Sequence, residues 1–451
     1  MAKSLRPLVI ASVCLISLAP VVTAAPRFAP SGPTAEEYGA REGFRVGERS
    51  TCSQVPFLVG CMSHLDEVYE ARRIRRSAMR STLERTEAEP AIRYEVDGRT
   101  LTLDDYLARN PTTGLLIARG DTILVERYQY GRTDKHRLPS WSMAKTVTGM
   151  LVGVAIADGR IRSVDDTGAS YVKQLAGTEY GTTSLRHLLQ MSSGVRFTEN
   201  YSGRDDVTRL AFDTFQLRGA GGIDAVKRYN TREVPAGTRS SYASVETQVL
   251  GLVLRAAMGR PVAEYFEEKI WRPIGAEADA SWLIDRSGQE ATYCCLNAIL
   301  RDYARLGLLL AHDGSWRGRE IIPSAWLHDA TTVRADQPHL APGATQSTLY
   351  GRRGYGYQTW ILPGARDLAR IIVAFRHLVA CDHGPWPQGL EPVESGDPIE
   401  PARRVSLGKE RMNTVVDDVP GHDQPDGRNV QARGPRRVGV SRIDDDELVP
   451  L

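Results

Sequence analysis

No charge of one sign is left over in this 451-residue chain: 57 basic residues stand against 55 acidic ones, a formal charge of +2. That balance gives no field to hold nucleic acid or an anionic membrane surface. Lysine is scarce: seven residues, against fifty arginines, a bias of the kind a GC-rich coding sequence leaves. Cysteine is also sparse, six residues, with no C-x-x-C and no paired Cys/His spacing, so no zinc site or other metal site is legible. The run Leu8–Val22 is free of charge but falls short of the ~20 residues a spanning helix needs. Three phosphate- or nucleophile-bearing signatures are missing: G-x-G-x-x-G, G-x-x-x-x-G-K-[ST] and G-x-S-x-G. What remains is 41% apolar and 25% charged, the composition of a soluble globular protein. It excludes a wholly disordered, collagenous or polytopic membrane chain, and the length allows two or three domains or one large one with extensions.

The first residues, MAKSLRPLVIASVCLISLAPVVTAAP, have a short positive start (Lys3, Arg6), an apolar run and a small-residue end near Ala24/Ala25. That layout predicts a cleaved signal peptide over 1–25, a periplasmic or secreted protein, and no stable membrane span in the mature chain. An oxidising compartment would let Cys52 and Cys61 close a small loop. Cys294 and Cys295 are adjacent, and Cys381 stands alone. A charged stretch follows, LDEVYEARRIRRSAMRSTLERTEAEP, whose charge runs read as a solvated helix face.

From residue 112 the pattern turns regular. GLLIARG and TILVERY flank Gly120-Asp121 as a hairpin, which also accounts for the Arg119-Gly120-Asp121 tripeptide. Helical spacing then runs through WSMAKTVTGMLVGVAIADG, SLRHLLQMSSG, VETQVLGLVLRAAMG, RPVAEYFEEKIWRPIG, ILRDYARLGLLLAHDG and the start of another helix at PSAWL. Strands first and helices after, with no repeating βαβ unit, predict an α+β domain.

Ser142 and Lys145 open the first of those helices. At i, i+3 the amine lies one turn on, on the same face as the hydroxyl, and a lysine buried among apolar neighbours loses its charge readily enough to act as a base. Ser-x-x-Lys also occurs at Ser170…Lys173 and Ser406…Lys409, but only Ser142 directly follows a hairpin and opens a long apolar helix. About a hundred residues later, Tyr242-Ala243-Ser244 sits at a turn before another helix, where a phenol can relay a proton.

Taken together, LPSWSMAKTVTGMLVG, TSLRHLLQMSSGVRFTENY, PAGTRSSYASVETQVLG, IWRPIGAEADASW, LRDYARLGLLL and YGYQTWILPG resemble the serine β-lactamase-related, penicillin-recognising hydrolases. The likeness is nearest to the 6-aminohexanoate-dimer hydrolase and esterase branch, over about Thr112–Leu362. The resemblance implies a two-lobed fold, an antiparallel sheet with flanking helices beside an all-helical lobe, with the site between. It implies an acylated Ser142, Lys145 as its general base, Tyr242 as proton shuttle, no cofactor, and a small ester or linear amide as substrate. Tyr201 is similar to a tyrosine held over the substrate. Ser244 stands where many β-lactamases have Asn, which argues against β-lactam hydrolysis as the main task. The backbone N–H of Ser142 would supply half of the oxyanion hole.

The family's third motif, a Lys- or His-x-Gly on a strand, is not found where the resemblance stops; no strand pattern follows His383-Gly384. The chain thus divides into 1–25, a signal peptide; 26–95, an N-terminal extension; 96–365, a hydrolase domain incomplete at its C-terminal end; and 366–451, an atypical tail rich in Pro, Arg and Asp that reads as disordered. Either the tail is a natural divergence or the reading frame shifts near codon 365. The alternative is a catalytically impaired or non-catalytic member that acts by binding, its third motif lost by either route.

Overall fold

The computed structural model describes residues 23–96, 98–216, 219–344 and 353–361. Most of the signal segment and the stretch holding Cys381, His383-Gly384, Ser406 and Lys409 lie outside the described residues. The strands that carry the architecture are β1 (Arg27–Phe28), β2 (Ala71–Ile74), β3 (Glu84–Arg85), β4 (Gly114–Arg119), β5 (Thr122–Tyr128), β6 (Leu138–Pro139), β7 (Ala280–Leu283), β8 (Leu296–Ala298), β9 (Gly354–Tyr355) and β10 (Trp360–Ile361). The helices used below are α1 (Met143–Ala157), α2 (Leu185–Leu189), α3 (Ser244–Met258), α4 (Leu300–Ala311) and α5 (Ser324–Ala330).

The hairpin forms where alternation places it. β4 and β5 pair antiparallel across Gly120, which takes the positive φ of 54° that a tight turn requires. The opposite edge of β5 is covered in parallel by β1 at one end and β3 at the other, so this sheet is mixed. A second sheet runs β2-β7-β8-β6, antiparallel throughout. Strands from 26–95 therefore complete both sheets. Residues 168–271 supply helices and no named strand among the described residues, which gives the helical lobe beside the sheets.

The charged stretch after Leu65 departs from the helix its charges predict. Helix persists only over Leu65–Val68; Ala71–Ile74 then becomes β2 and pairs with β7. Tertiary partners override the local pattern. Arg72 donates to Glu290 Oε1 at 2.9 Å, Arg73 bonds Asp279, and Ile74 is fully buried. Each charge finds a fixed acceptor beside the strand instead of a solvated helix face.

α1 is apolar on nearly every side, and most of its residues are buried, as befits a helix in the middle of a domain. It closes at Asp158-Gly159 and α3 closes at Gly259, whose left-handed conformation lets its N–H reach the Arg255 carbonyl. Two glycines let other segments come close to these helices. A Cβ at Gly153 of α1 would meet the Trp326 ring of α5 at 2.4 Å, and one at Gly251 of α3 would meet Thr292 Oγ1 at 2.2 Å. Buried Glu126 of β5 joins the layers through Arg85 of β3 and Arg301 of α4. Cys52 and Cys61 are disulfide-bonded, with Cα atoms 5.5 Å apart.

Gln358 ties the segment 353–361 to three helices. Gln358 is 2% exposed: its backbone N–H donates to the Leu189 carbonyl at 2.8 Å, its Nε2 to Leu188 O at 2.9 Å, and its Oε1 accepts from Thr247 at 2.6 Å. Thr146 of α1 donates to its carbonyl at 2.9 Å. Helices α1, α2 and α3 are thus bound to a single buried residue, which satisfies its polar atoms at once.

Candidate active site

β6 brings the chain to the site. Ser140 N–H donates to the Leu296 carbonyl at 2.6 Å, Leu296 N–H donates back to Ser140 Oγ at 3.1 Å, and Trp141 takes a left-handed φ of 41°. That sharp turn places Ser142 half-buried at the cap of α1, where its side chain makes no capping hydrogen bond. Its hydroxyl faces Lys145 instead, whose Nζ lies 3.0 Å from Ser142 Oγ. A second Nζ contact, also 3.0 Å, goes to the Tyr293 carbonyl. Lys145 is 2% exposed, and burial pulls its ammonium down to about 8, while the charge of Glu199 pulls it back up. A neutral amine can then accept the serine proton along the same 3.0 Å contact that it donates through when charged.

The second Ser-x-x-Lys has no such geometry. Ser170 Oγ pairs with Thr167 in a capping box, and Lys173 is exposed. Burial of the amine is what separates the two.

Tyr242 forms the next wall, 6% exposed, with Lys145 Nζ 4.9 Å from its ring centroid. Trp360 of β10 stacks on it at 5.1 Å and Tyr355 of β9 meets its edge at 6.1 Å. Gln358 sits between those two strands, so its docking fixes both aromatic rings against the tyrosine. Tyr293, fully enclosed, presents its ring 5.6 Å from the same amine, and its hydroxyl bonds Thr214 at 2.8 Å. The loop that carries it is pinned to both central helices. Thr148 of α1 donates to the Thr292 carbonyl, and Gln248 of α3 accepts from Thr292 N–H at 3.0 Å.

Tyr201 and Ser244 meet through a residue that the sequence reading passed over. Glu199 accepts from Ser244 N–H at 2.7 Å, from Ser244 Oγ at 2.8 Å and from the Tyr201 hydroxyl at 2.7 Å. Burial raises its carboxyl above the usual range, offset in part by Lys145 and then by these hydrogen bonds. Glu199 lies in RFTENY, two residues before Tyr201, but no period or spacing marks it; only the turn at Tyr201 (φ 58°, N–H to Asp205 at 2.5 Å) brings it beside α3. Glu199→Gln is expected to shift the acid limb of kcat/KM to lower pH. Removing the carboxylate withdraws the charge that raises Lys145, so the amine deprotonates earlier. A pH–rate profile of the variant checks this; an unmoved limb, or one moved upward, would refute the coupling.

Among the described residues no group of three His, Cys, Asp or Glu side chains is placed to hold a metal ion, and no helix is long and apolar enough to cross a membrane. The Beta-lactamase family model matches residues 102–382, which contain all five residues singled out in the sequence together with Glu199. The 6-aminohexanoate-dimer hydrolase of Paenarthrobacter ureafaciens is 25% identical over 280 residues, 61% of this chain and 71% of that protein. A Bacillus anthracis structure named as a candidate 6-aminohexanoate-dimer hydrolase superposes with a TM-score of 0.61 at 22% identity, over 69% of this chain and 82% of that one. That likeness in shape matches the α+β, β-lactamase/transpeptidase-like fold expected from the motifs. With the family model covering more than half of its length, this chain belongs to the Beta-lactamase family of serine hydrolases.

Proposed function

We propose that the protein is an exported hydrolase that opens small esters and linear amides through an acyl-enzyme on Ser142. The observation that carries the reading is the buried Lys145 amine 3.0 Å from Ser142 Oγ. In this reading Ser142 Oγ attacks the substrate carbonyl and Lys145 takes its proton. Tyr242, beside that amine, relays that proton to the leaving alkoxide or amine; water then attacks the acyl carbonyl, its proton returns to Ser142 Oγ, and the acid leaves. Glu199 holds Ser244 and Tyr201 at the substrate side of the cleft. The name of the Paenarthrobacter relative favours a linear amide. Esters follow from the same chemistry, because an alkoxide leaves more readily than an amide nitrogen that has not been protonated. Export is supported by the first 25 residues and by two disulfides, Cys52–Cys61 and Cys294–Cys295.

The test is intact-protein mass after mixing with a p-nitrophenyl ester, and turnover of the linear dimer of 6-aminohexanoate. An acyl-sized mass gain with nitrophenol released beyond one equivalent is the expected result. Folded protein that neither gains mass nor releases nitrophenol would instead support a family member that keeps the fold and acts by binding. Sequencing the N-terminus of protein recovered from the periplasm tests export, with a start near Ala24/Ala25 expected.

A further inference from the structure

Cys294 and Cys295, adjacent in the chain, are bonded to each other, and both are buried, at 4% and 0% exposure. The bond closes a small ring that contains the peptide between them, which removes freedom from the backbone on either side. Cys295 holds a φ of 67°, a left-handed conformation that a residue with a side chain avoids unless something enforces it. The ring supplies that enforcement, and its position in the chain gives it a bearing on the chemistry. Immediately before it, the Tyr293 carbonyl accepts the hydrogen bond from Lys145. Immediately after it, Leu296 exchanges two hydrogen bonds with Ser140, two residues ahead of Ser142. The turn itself is anchored: Trp282 Nε1 donates to the Cys294 carbonyl at 2.8 Å, and Asn297 Nδ2 donates to that of Cys295 at 3.1 Å. Four consecutive residues therefore hold the base at one end and the approach to the nucleophile at the other.

We infer that the Cys294–Cys295 disulfide is a positioning element of the site, fixing the Tyr293 carbonyl against Lys145 and the Leu296–Ser140 register beside Ser142, so that opening it slows acylation. The inference rests on the hydrolase reading above. Opening is a two-electron step: a dithiol reductant gives up two electrons and two protons, two cysteine thiols form, and the reductant ends as its own disulfide. Nothing in the rest of the site is consumed, and reoxidation restores the ring.

The test compares kcat/KM against pH, and melting temperature, for the oxidised wild type and for the double variant Cys294→Ala/Cys295→Gly. The glycine keeps the left-handed backbone accessible without the bond. Cys52→Ser/Cys61→Ser, which removes the remote disulfide, serves as control. A displacement of the order of an ångström at a reacting group costs ~10²-fold, so a loss of ~10- to 100-fold in kcat/KM near neutral pH is expected, with KM moving less. The acid limb is expected to move to higher pH as water reaches Lys145. The control should keep the wild-type profile. A folded double variant with the wild-type limb and kcat/KM would overturn the inference. If the double variant does not fold, wild type is titrated with dithiothreitol and weighed intact. Activity should fall as the Cys294–Cys295 thiols appear and return on reoxidation; thiols formed there with activity unchanged would overturn the inference equally. An oxidised wild type that turns over no ester or amide would overturn the hydrolase reading itself, and this inference with it. An active wild type beside unaffected variants would overturn only the role of the disulfide.

Discussion

Ser142→Ala is expected to lower kcat on a p-nitrophenyl ester by roughly 10⁴- to 10⁶-fold, the loss seen when a serine hydrolase is stripped of its nucleophile. Stability should hardly change, for a reason particular to this position. A serine at a helix cap usually satisfies a free N–H of the first turn, and its removal costs about 1 kcal/mol. Here the hydroxyl makes no capping bond and faces Lys145. The amine keeps its contact with the Tyr293 carbonyl in the variant. Steady-state kinetics beside thermal melts separate the two effects. A variant that keeps a few per cent of wild-type turnover would move the nucleophile elsewhere.

Lys145→Met should separate activity from stability in the opposite sense. Losing the base is expected to cost ~10²–10⁴-fold in kcat/KM. The folded state, by contrast, gains at neutral pH. Burial pulls Lys145 from 10.5 down to about 8, so the unfolded chain binds a proton that the folded one releases early. The sign follows from that order. The penalty is full below the folded value, shrinks as pH rises above it, and is gone once the unfolded lysine has also lost its proton. Measured against the methionine variant, wild type should therefore gain on the order of 2 kcal/mol between pH 7 and pH 10. The Tyr293 carbonyl loses its donor in the variant, which offsets part of the gain at every pH. Denaturant melts of both proteins at the two pH values check the difference; parallel curves would mean that the amine is hydrated in the folded protein.

The parts of the fold legible in the sequence were those whose cause is local. Apolar residues at helical spacing and glycine stops mark α1 and α3, and alternation around Gly120-Asp121 marks the β4–β5 hairpin. Ser142, Lys145 and Tyr242 carry recognisable neighbourhoods, and the fold brings them together at Lys145. What escaped depends on distant partners. The arginines of β2 read as a helix face because Glu290 and Asp279, the carboxylates that fix them, lie some 200 residues away in the chain. Glu199 escaped because a single carboxylate in a loop has no pattern until Ser244, 45 residues on, folds back over it. Cys294 and Cys295 were visible as neighbours, but that they hold each other, beside the carbonyl that holds Lys145, is a property of the folded turn.

The docking of Gln358 also sets an order in time. A ribosome releases Ser142, Lys145 and Tyr242 well before it adds the glutamine that ties α1, α2 and α3 together and seats Trp360 on Tyr242. Until that segment docks, the nucleophile and its base lack the Trp360 and Tyr355 side of their surroundings. Completion of the site thus waits on contacts spanning 111 to 212 residues, the kind of closure that makes folding slow.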